Sequence, residues 1–228
     1  GAGGGSTTAP HGNGALAGDA IGIEAFTAGL TNAFAGIDVC YTSLPRGGTD
    51  FTFRHPLDYL GGDGGGGVGG GPGIAVGAAL ALRGSGRLPV AVIGDGDYLM
   101  GLTALWTAVA NKIPLLVIVG NNRSYFNDEV HQERMAVTRG RPVERKWIGQ
   151  RIDGPPPDCA ALARGQGAAG IGPVTRPQDM AGAFAQAIDE VRAGGVCVVD
   201  VVILPEYSAS VASGMTSNFE RGGPERGE

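Results

Sequence analysis

Short apolar runs alternate with amphipathic stretches along most of the chain. Runs rich in Val, Ile and Leu at 88–93, 115–119 and 196–203 predict buried strands, and residues 37–41 predict a shorter one. Elsewhere apolar residues recur every three or four positions, which is typical of helices that cover a sheet. The predicted helices are residues 19–34, 74–82, 99–111, 158–165 and 177–192.

The order of these elements predicts the fold class. A strand, a helix and a strand over residues 88–119 form a right-handed unit with parallel strands. Its repetition predicts an α/β domain, with a mostly parallel sheet and helices on both faces. We expect this domain to cover residues 19–205, between a flexible Gly-rich segment at 1–18 and a C-terminal tail at 206–228.

Composition narrows the classes of function. Hydrophobic residues make up 43% of the 228 positions and the net charge is −5, which favours a globular protein and argues against nucleic-acid binding. Apolar runs stay well below the roughly 20 residues that cross a bilayer, and the N-terminus does not resemble a signal peptide, so we expect a cytoplasmic protein. The three cysteines, which are widely spaced and predicted to be buried, are Cys40, Cys159 and Cys197.

Candidate chemistry lies just beyond two predicted strands. Gly-Asp-Gly-Asp follows the strand at 88–93, and Gly-Asn-Asn follows the strand at 115–119. Parallel strands open on one carboxyl edge, where α/β sheets bind ligands, so Asp95 and Asn122 are predicted to share a crevice. Their oxygens suit Mg²⁺, and the glycines with the following helix suit a phosphate group.

This arrangement resembles the diphosphate-binding motif of thiamine diphosphate enzymes. In that motif Gly-Asp-Gly is followed by Asn-Asn, and here 24 residues separate Gly96 from Asn121. The glycine-rich stretch 66–78 and Ala-Leu-Trp-Thr-Ala at 104–108 are similar to the acetolactate synthase and benzoylformate decarboxylase branch. The resemblance covers roughly residues 35–205 and implies the diphosphate-binding (PP) domain of such an enzyme.

The resemblance also implies cofactors and roles. The cofactors are thiamine diphosphate and Mg²⁺, with the metal held by Asp95, Asn122 and the carbonyl of Ser124. Val68 would bend the cofactor into its V shape, whereas Asp97 would either meet the diphosphate or cap the following helix. The full set of implied cofactor-binding residues is Gly67, Val68, Gly94, Asp95, Gly96, Asp97, Asn122 and Ser124.

Two further residues are candidates for catalysis beside Val68. Asp128 follows Asn122 by six residues, where pyruvate decarboxylases carry an acidic residue over the reacting carbon. His131 is a candidate for acid–base catalysis. We expect residues 125–145 to form a loop, however, and a histidine in such a loop is more often a surface residue.

The implied activity is decarboxylation or carbon–carbon ligation of 2-oxo acids, of the acetolactate synthase-like kind. In this family an activating glutamate comes from a separate pyrimidine-binding domain, and a second α/β domain is not evident in this sequence. We therefore expect a hetero- or homo-oligomer that acts on a small molecule, and no turnover by the chain alone.

Two other functions remain open at this point. One is the β-type subunit of a 2-oxoacid:ferredoxin oxidoreductase, which also carries Gly-Asp-Gly-Asp but usually continues differently and often binds an iron–sulfur cluster. The other is a non-catalytic subunit that binds the cofactor for regulation.

Overall fold

A single parallel sheet organises the residues that the structure describes. The computed structural model describes residues 20–44, 51–61 and 67–206, so the predicted N-terminal segment and all of the predicted C-terminal tail except Glu206 lie outside the described residues. The strand order is β1-β2-β3-β5-β4, and every pairing is parallel. The strands are β1 (Val39–Ser43), β2 (Leu88–Gly94), β3 (Leu115–Asn121), β4 (Ala169–Val174) and β5 (Val196–Val202).

Helices cover both faces of this sheet, which confirms the predicted α/β class. Helices α1 and α7 contribute to one core, and α2, α3, α4 and α6 contribute to the other. The helices are α1 (Ile23–Ala33), α2 (Gly71–Ala81), α3 (Asp95–Gly101), α4 (Ala104–Ala110), α5 (Phe126–Thr138), α6 (Cys159–Gly165) and α7 (Pro177–Arg192).

The central strand β3 shows why the apolar runs are continuous rather than alternating. Leu116 and Ile118 point into the core beneath α1 and α7, whereas Leu115, Val117 and Val119 point into the opposite core. All seven residues of β3 are buried, as expected for a parallel strand that is covered on both faces. The sheet therefore holds the ends of β2 and β3 in a fixed relation.

Several predicted elements are confirmed. Helix α7 has the bounds that its amphipathic pattern predicts. Asp158 is the N-cap of α6, since its Oδ1 accepts a hydrogen bond of 2.7 Å from the amide of Ala161. The three cysteines are buried and free, as expected.

Other elements differ from the prediction. The helix predicted at 99–111 is two helices, α3 and α4, and α3 begins earlier, directly after β2. Strand β4 was not predicted, because its sequence Ala-Gly-Ile-Gly-Pro-Val lacks a β-branched apolar run. The prediction of a loop at 125–145 was wrong over α5, a mostly polar helix without a strong apolar stripe.

Within the described residues, no helix is long and apolar enough to cross a membrane.

Candidate functional site

The ends of β2 and β3 lie side by side. Gly94 at the end of β2 is the partner of Gly120 in β3. Asp95 comes one residue after Gly94, and Asn122 comes two residues after Gly120. Both residues line one cavity of about 350 Å³, together with Ser124. The structure thus brings the three predicted metal ligands to one edge of the sheet.

Asp95 is the most unusual group in this cavity. Its side chain is buried, with the residue only 1% exposed, and its Oδ2 has no hydrogen-bond partner in the described structure. Burial raises the pKa of Asp95 to about 6, with a smaller contribution from the charge of Asp200, although the backbone amides of Gly96 and Arg123 favour the ionised form. A buried carboxylate oxygen without a donor is suited to a cation.

Asn122 and Ser124 lie on a tight turn after β3. The amide of Ser124 donates to Asn122 Oδ1 over 3.0 Å, and Arg123 between them has a φ of 55°. This left-handed conformation is uncommon for a residue other than glycine, and it reverses the chain between the two ligand positions. The Asn122 oxygen has a second lone pair, so its hydrogen bond to Ser124 leaves it able to bind a metal.

A partly buried ion pair, in which Glu129 is buried and the Arg151 side chain is 29% exposed, braces this turn. Glu129, which is 2% exposed, accepts two hydrogen bonds of 2.8 Å from Arg151 and one of 3.0 Å from the Ser124 hydroxyl. Burial alone would raise the pKa of Glu129, but the hydrogen bonds from Arg151 and Ser124 outweigh it and hold that pKa below its ordinary value. Backbone pairing between Ser124 and Arg151 adds to the brace.

Gly96 is required by an aromatic neighbour. The ring of Tyr125 lies so close to Gly96 that a Cβ atom at this position would overlap it. Tyr125 also lines the cavity. The second glycine of the Gly-Asp-Gly motif therefore lets the turn after β3 pack against the start of α3.

Asp97 makes two hydrogen bonds that neither of its predicted roles includes. Its Oδ1 accepts hydrogen bonds from the backbone amides of Gly69 at 2.6 Å and Gly71 at 3.1 Å. Helix α3 has no side-chain cap, so the prediction that Asp97 caps it was wrong. Asp97 does line the cavity, and contact with a diphosphate stays a prediction.

The remaining candidates are split between the cavity and the surface. Val68 lines the cavity and is 49% exposed, and Asp128 lines it from the first turn of α5. Gly67 is exposed beside Val68, outside the set of residues that line the cavity. His131 is exposed further along α5 and is likewise outside that set, so its catalytic role stays a prediction without support from its position.

Several lining residues have no signal in the sequence. Glu206, which we assigned to the tail, accepts a hydrogen bond of 2.7 Å from the amide of Ile23 and so ties the segment after β5 to the start of α1. This contact joins residues 183 positions apart, which no local pattern predicts. The other lining residues that were not predicted as part of the site are Ile23, Phe26, Ser43, Leu44, Val92, Ile93, Gly120, Tyr125, Phe126, Asn127 and Ile203.

The fold and the cavity define a class: a parallel α/β domain with a cavity at the carboxyl edge of its sheet, beside glycine turns, where such domains bind ligands. Residues 46–201 match the family described as thiamine pyrophosphate enzyme, C-terminal TPP binding domain. The chain belongs to this family, as the resemblance in its sequence predicted.

Named relatives agree with this assignment. Over 137 residues the chain is 31% identical to YdaP of Bacillus subtilis (strain 168), a protein designated as thiamine pyrophosphate-containing; the match covers 59% of this chain and 21% of YdaP.

Solved structures show the same fold. The thiamine diphosphate-dependent 4-hydroxybenzoylformate decarboxylase of Rhodococcus jostii RHA1 superposes with a TM-score of 0.65 at 25% identity, covering 88% of this chain and 35% of that one. Benzoylformate decarboxylase from Polynucleobacter necessarius gives a TM-score of 0.64 at 22% identity, covering 80% and 33%. The chain thus spans about a third of the length of these two enzymes.

The buried Asp95 carboxylate makes a prediction about stability. Because its pKa is raised from 3.8 to about 6, the ionised form destabilises the metal-free folded state above pH 6, and this cost disappears as pH falls towards 4. Two pKa units correspond to about 3 kcal/mol. We expect Asp95→Asn to raise the free energy of unfolding by about 1–3 kcal/mol at pH 8 and by progressively less at lower pH.

Urea denaturation in EDTA at a series of pH values measures this change. Asp179→Asn is the matched control, since Asp179 forms an exposed ion pair with Arg176 and its loss should change stability by less than about 1 kcal/mol. A loss of stability in Asp95→Asn at pH 8 would contradict the predicted cost of burying the ionised carboxylate.

The brace behind Ser124 makes a second prediction. Glu129→Ala leaves Arg151 without its buried partner, so we expect the free energy of unfolding to fall by about 2–3 kcal/mol. Glu133→Ala is the control on the same helix, because its ion pair with Lys146 is more exposed and should contribute less than about 1 kcal/mol. Chemical denaturation compares the two, and equal losses would show that the Glu129 pair is no brace.

Proposed function

We propose that this chain is the diphosphate- and Mg²⁺-binding half of a thiamine diphosphate-dependent enzyme that acts on 2-oxo acids. The observation that carries the proposal is the buried Asp95, whose Oδ2 has no hydrogen-bond partner among the described residues and which shares a cavity with Asn122 and Ser124. Membership of the thiamine pyrophosphate-binding family supplies the identity of the cofactor.

The residues present fit a magnesium–diphosphate group. Asp95, Asn122 and the Ser124 carbonyl would provide three oxygen ligands, and Mg²⁺ takes about six. In the described part of the chain no group of three or more His, Cys, Asp or Glu residues is placed to hold a metal. A site with so few protein ligands is typical of Mg²⁺ that completes its shell with phosphate oxygens and water.

The remaining cavity wall is suited to the organic part of the cofactor. Ile23, Phe26 and Ile203 provide an apolar part of the lining, and Val68 lies at the same cavity. Bound thiamine diphosphate supplies an electron sink for breaking the bond between a carboxylate and the neighbouring carbonyl carbon. In our proposal the task of this chain is to hold the diphosphate, orient the rings over Val68 and keep the reacting centre dry.

Two of the similar solved structures are benzoylformate-type decarboxylases, and this similarity supports 2-oxo acids as the proposed substrates of this chain. Decarboxylation, ligation of two such molecules, or both would use the same binding residues in this chain. Asp128 is the acidic group we propose for proton transfer near the substrate, since it lines the cavity from α5.

We propose that activity requires a pyrimidine-binding domain. The chain spans only about a third of the benzoylformate decarboxylase-type relatives, and the family to which it belongs is a C-terminal domain. The described glutamates at or near the cavity are already engaged: Glu129 pairs with Arg151, and Glu206 holds the amide of Ile23. We propose, as the resemblance to this family implies, that the activating glutamate comes from the partner domain.

Calorimetric titration with thiamine diphosphate tests the binding role. We expect saturable binding with Mg²⁺ and none in EDTA, and a loss of about 100-fold or more in Asp95→Asn, because a carboxamide replaces the charged metal ligand. Asp179→Asn should bind like the unchanged chain, since Asp179 lies on α7 in a surface ion pair. Binding that is independent of Mg²⁺, or unaffected by Asp95→Asn, would contradict the proposed site.

A parallel assay of 2-oxo acid decarboxylation tests the need for a partner domain. The chain alone should show no turnover, and activity should appear with the pyrimidine-binding domain that co-purifies with it. Rapid decarboxylation by the isolated chain would show that the partner is not needed.

A further inference from the structure

We propose that Asp97 is a positioning residue that holds the turn after Val68 against helix α3, and so sets where Val68 meets the cofactor. The inference rests on the proposed function, because Val68 matters only if the cavity binds thiamine diphosphate. It gives Asp97 a structural task in place of direct contact with the diphosphate.

The hydrogen bonds are the first support. One carboxylate oxygen of Asp97 accepts hydrogen bonds from the amide of Gly69 in the turn, at 2.6 Å, and from the amide of Gly71, the first residue of α2, at 3.1 Å. Hydrogen bonds from amides to a carboxylate are about twice as strong as those between neutral groups. Val68 precedes this pinned turn by one residue, so its backbone has little freedom to shift.

Close packing between the turn and α3 is the second support. A Cβ atom on Gly71 would overlap the other carboxylate oxygen of Asp97, and a Cβ atom on Gly101 would lie 2.5 Å from the Gly69 carbonyl oxygen. Gly69 has a φ of 99°, a conformation that favours glycine. The glycines at 69, 71 and 101 thus allow the turn to lie directly on α3.

Helix α3 therefore links two parts of the proposed site. Its first residue, Asp95, would hold the metal at the diphosphate end, and its third, Asp97, holds the turn that carries Val68. Because the two residues are two positions apart in one short helix, α3 would hold the metal-binding carboxylate and the turn that carries Val68 at a fixed separation. Two amide donors also offset part of the negative charge that Asp97 places near a diphosphate.

Amide hydrogen exchange on the full, cofactor-free chain tests the contact directly. Asp97→Ala should speed exchange at Gly69 and Gly71 by about 10- to 100-fold, the range expected when hydrogen bonds to a charged group are lost. In Asp97→Asn the exchange rates of these two amides should lie between those of the unchanged chain and of Asp97→Ala, since a carboxamide oxygen still accepts a hydrogen bond. The control Asp179→Ala should leave both amides unchanged, and unchanged exchange in Asp97→Ala would overturn the inference.

Two probes then separate positioning from direct contact with the diphosphate. With Mg²⁺, Asp97→Ala should weaken binding of thiamine diphosphate about tenfold or more but leave inorganic pyrophosphate within about twofold, because only the former reaches Val68. Equal weakening for both probes would mean that Asp97 contacts the diphosphate, which would overturn the inference. Val68→Ala should show the same discrimination, and the double variant should lose no more than the more affected single one.

These experiments test the proposed function and the positioning role of Asp97 separately. If the unchanged chain binds neither probe, the proposed function fails, while amide exchange still reports whether Asp97 holds the turn. If Mg²⁺-dependent binding is intact but Gly69 and Gly71 exchange equally fast with and without the Asp97 carboxylate, only the positioning role fails.

Discussion

A buried carboxylate with one oxygen that has no donor among the described residues is the constraint on which the rest of this site depends. The fold removes Asp95 from water and gives it backbone amide donors, but it leaves one of its oxygens without a hydrogen-bond partner among the described residues. Such an arrangement is unfavourable in the metal-free protein, and it becomes favourable when a divalent cation occupies the cavity. A carboxylate whose pKa is raised by burial in a cavity is more characteristic of a binding or catalytic site than of structural packing.

The surrounding structure serves to keep that carboxylate in place. Parallel pairing of Gly94 with Gly120 fixes the edge from which Asp95 and Asn122 emerge. The partly buried pair of Glu129 and Arg151 secures the turn on one side, and the hydrogen bonds of Asp97 secure the Val68 turn on the other. Three separate segments are thus locked around one cavity before any ligand arrives, which lowers the entropic cost of binding.

The sequence carried the parts of this arrangement that follow from local patterns. Apolar runs identified β2 and β3, and the short polar motifs after them identified Asp95 and Asn122, because strand ends in a parallel sheet meet at one edge. Strand β4 and helix α5 were not predicted from the sequence, because the strand is rich in glycine and the helix lacks an apolar stripe. The roles of Asp97, Glu129 and Glu206 depend on contacts between distant segments, and no spacing rule predicts such contacts.

Anomalous diffraction from crystals grown with Mn²⁺ and thiamine diphosphate tests the central claim most directly, since Mn²⁺ prefers the same oxygen ligands as Mg²⁺. The account predicts one strong peak about 2.0–2.3 Å from Asp95 Oδ2, the Asn122 side-chain oxygen and the Ser124 carbonyl, with diphosphate oxygens completing the shell. A metal bound elsewhere, or a cofactor bound while Asp95 stays without a cation, would contradict it.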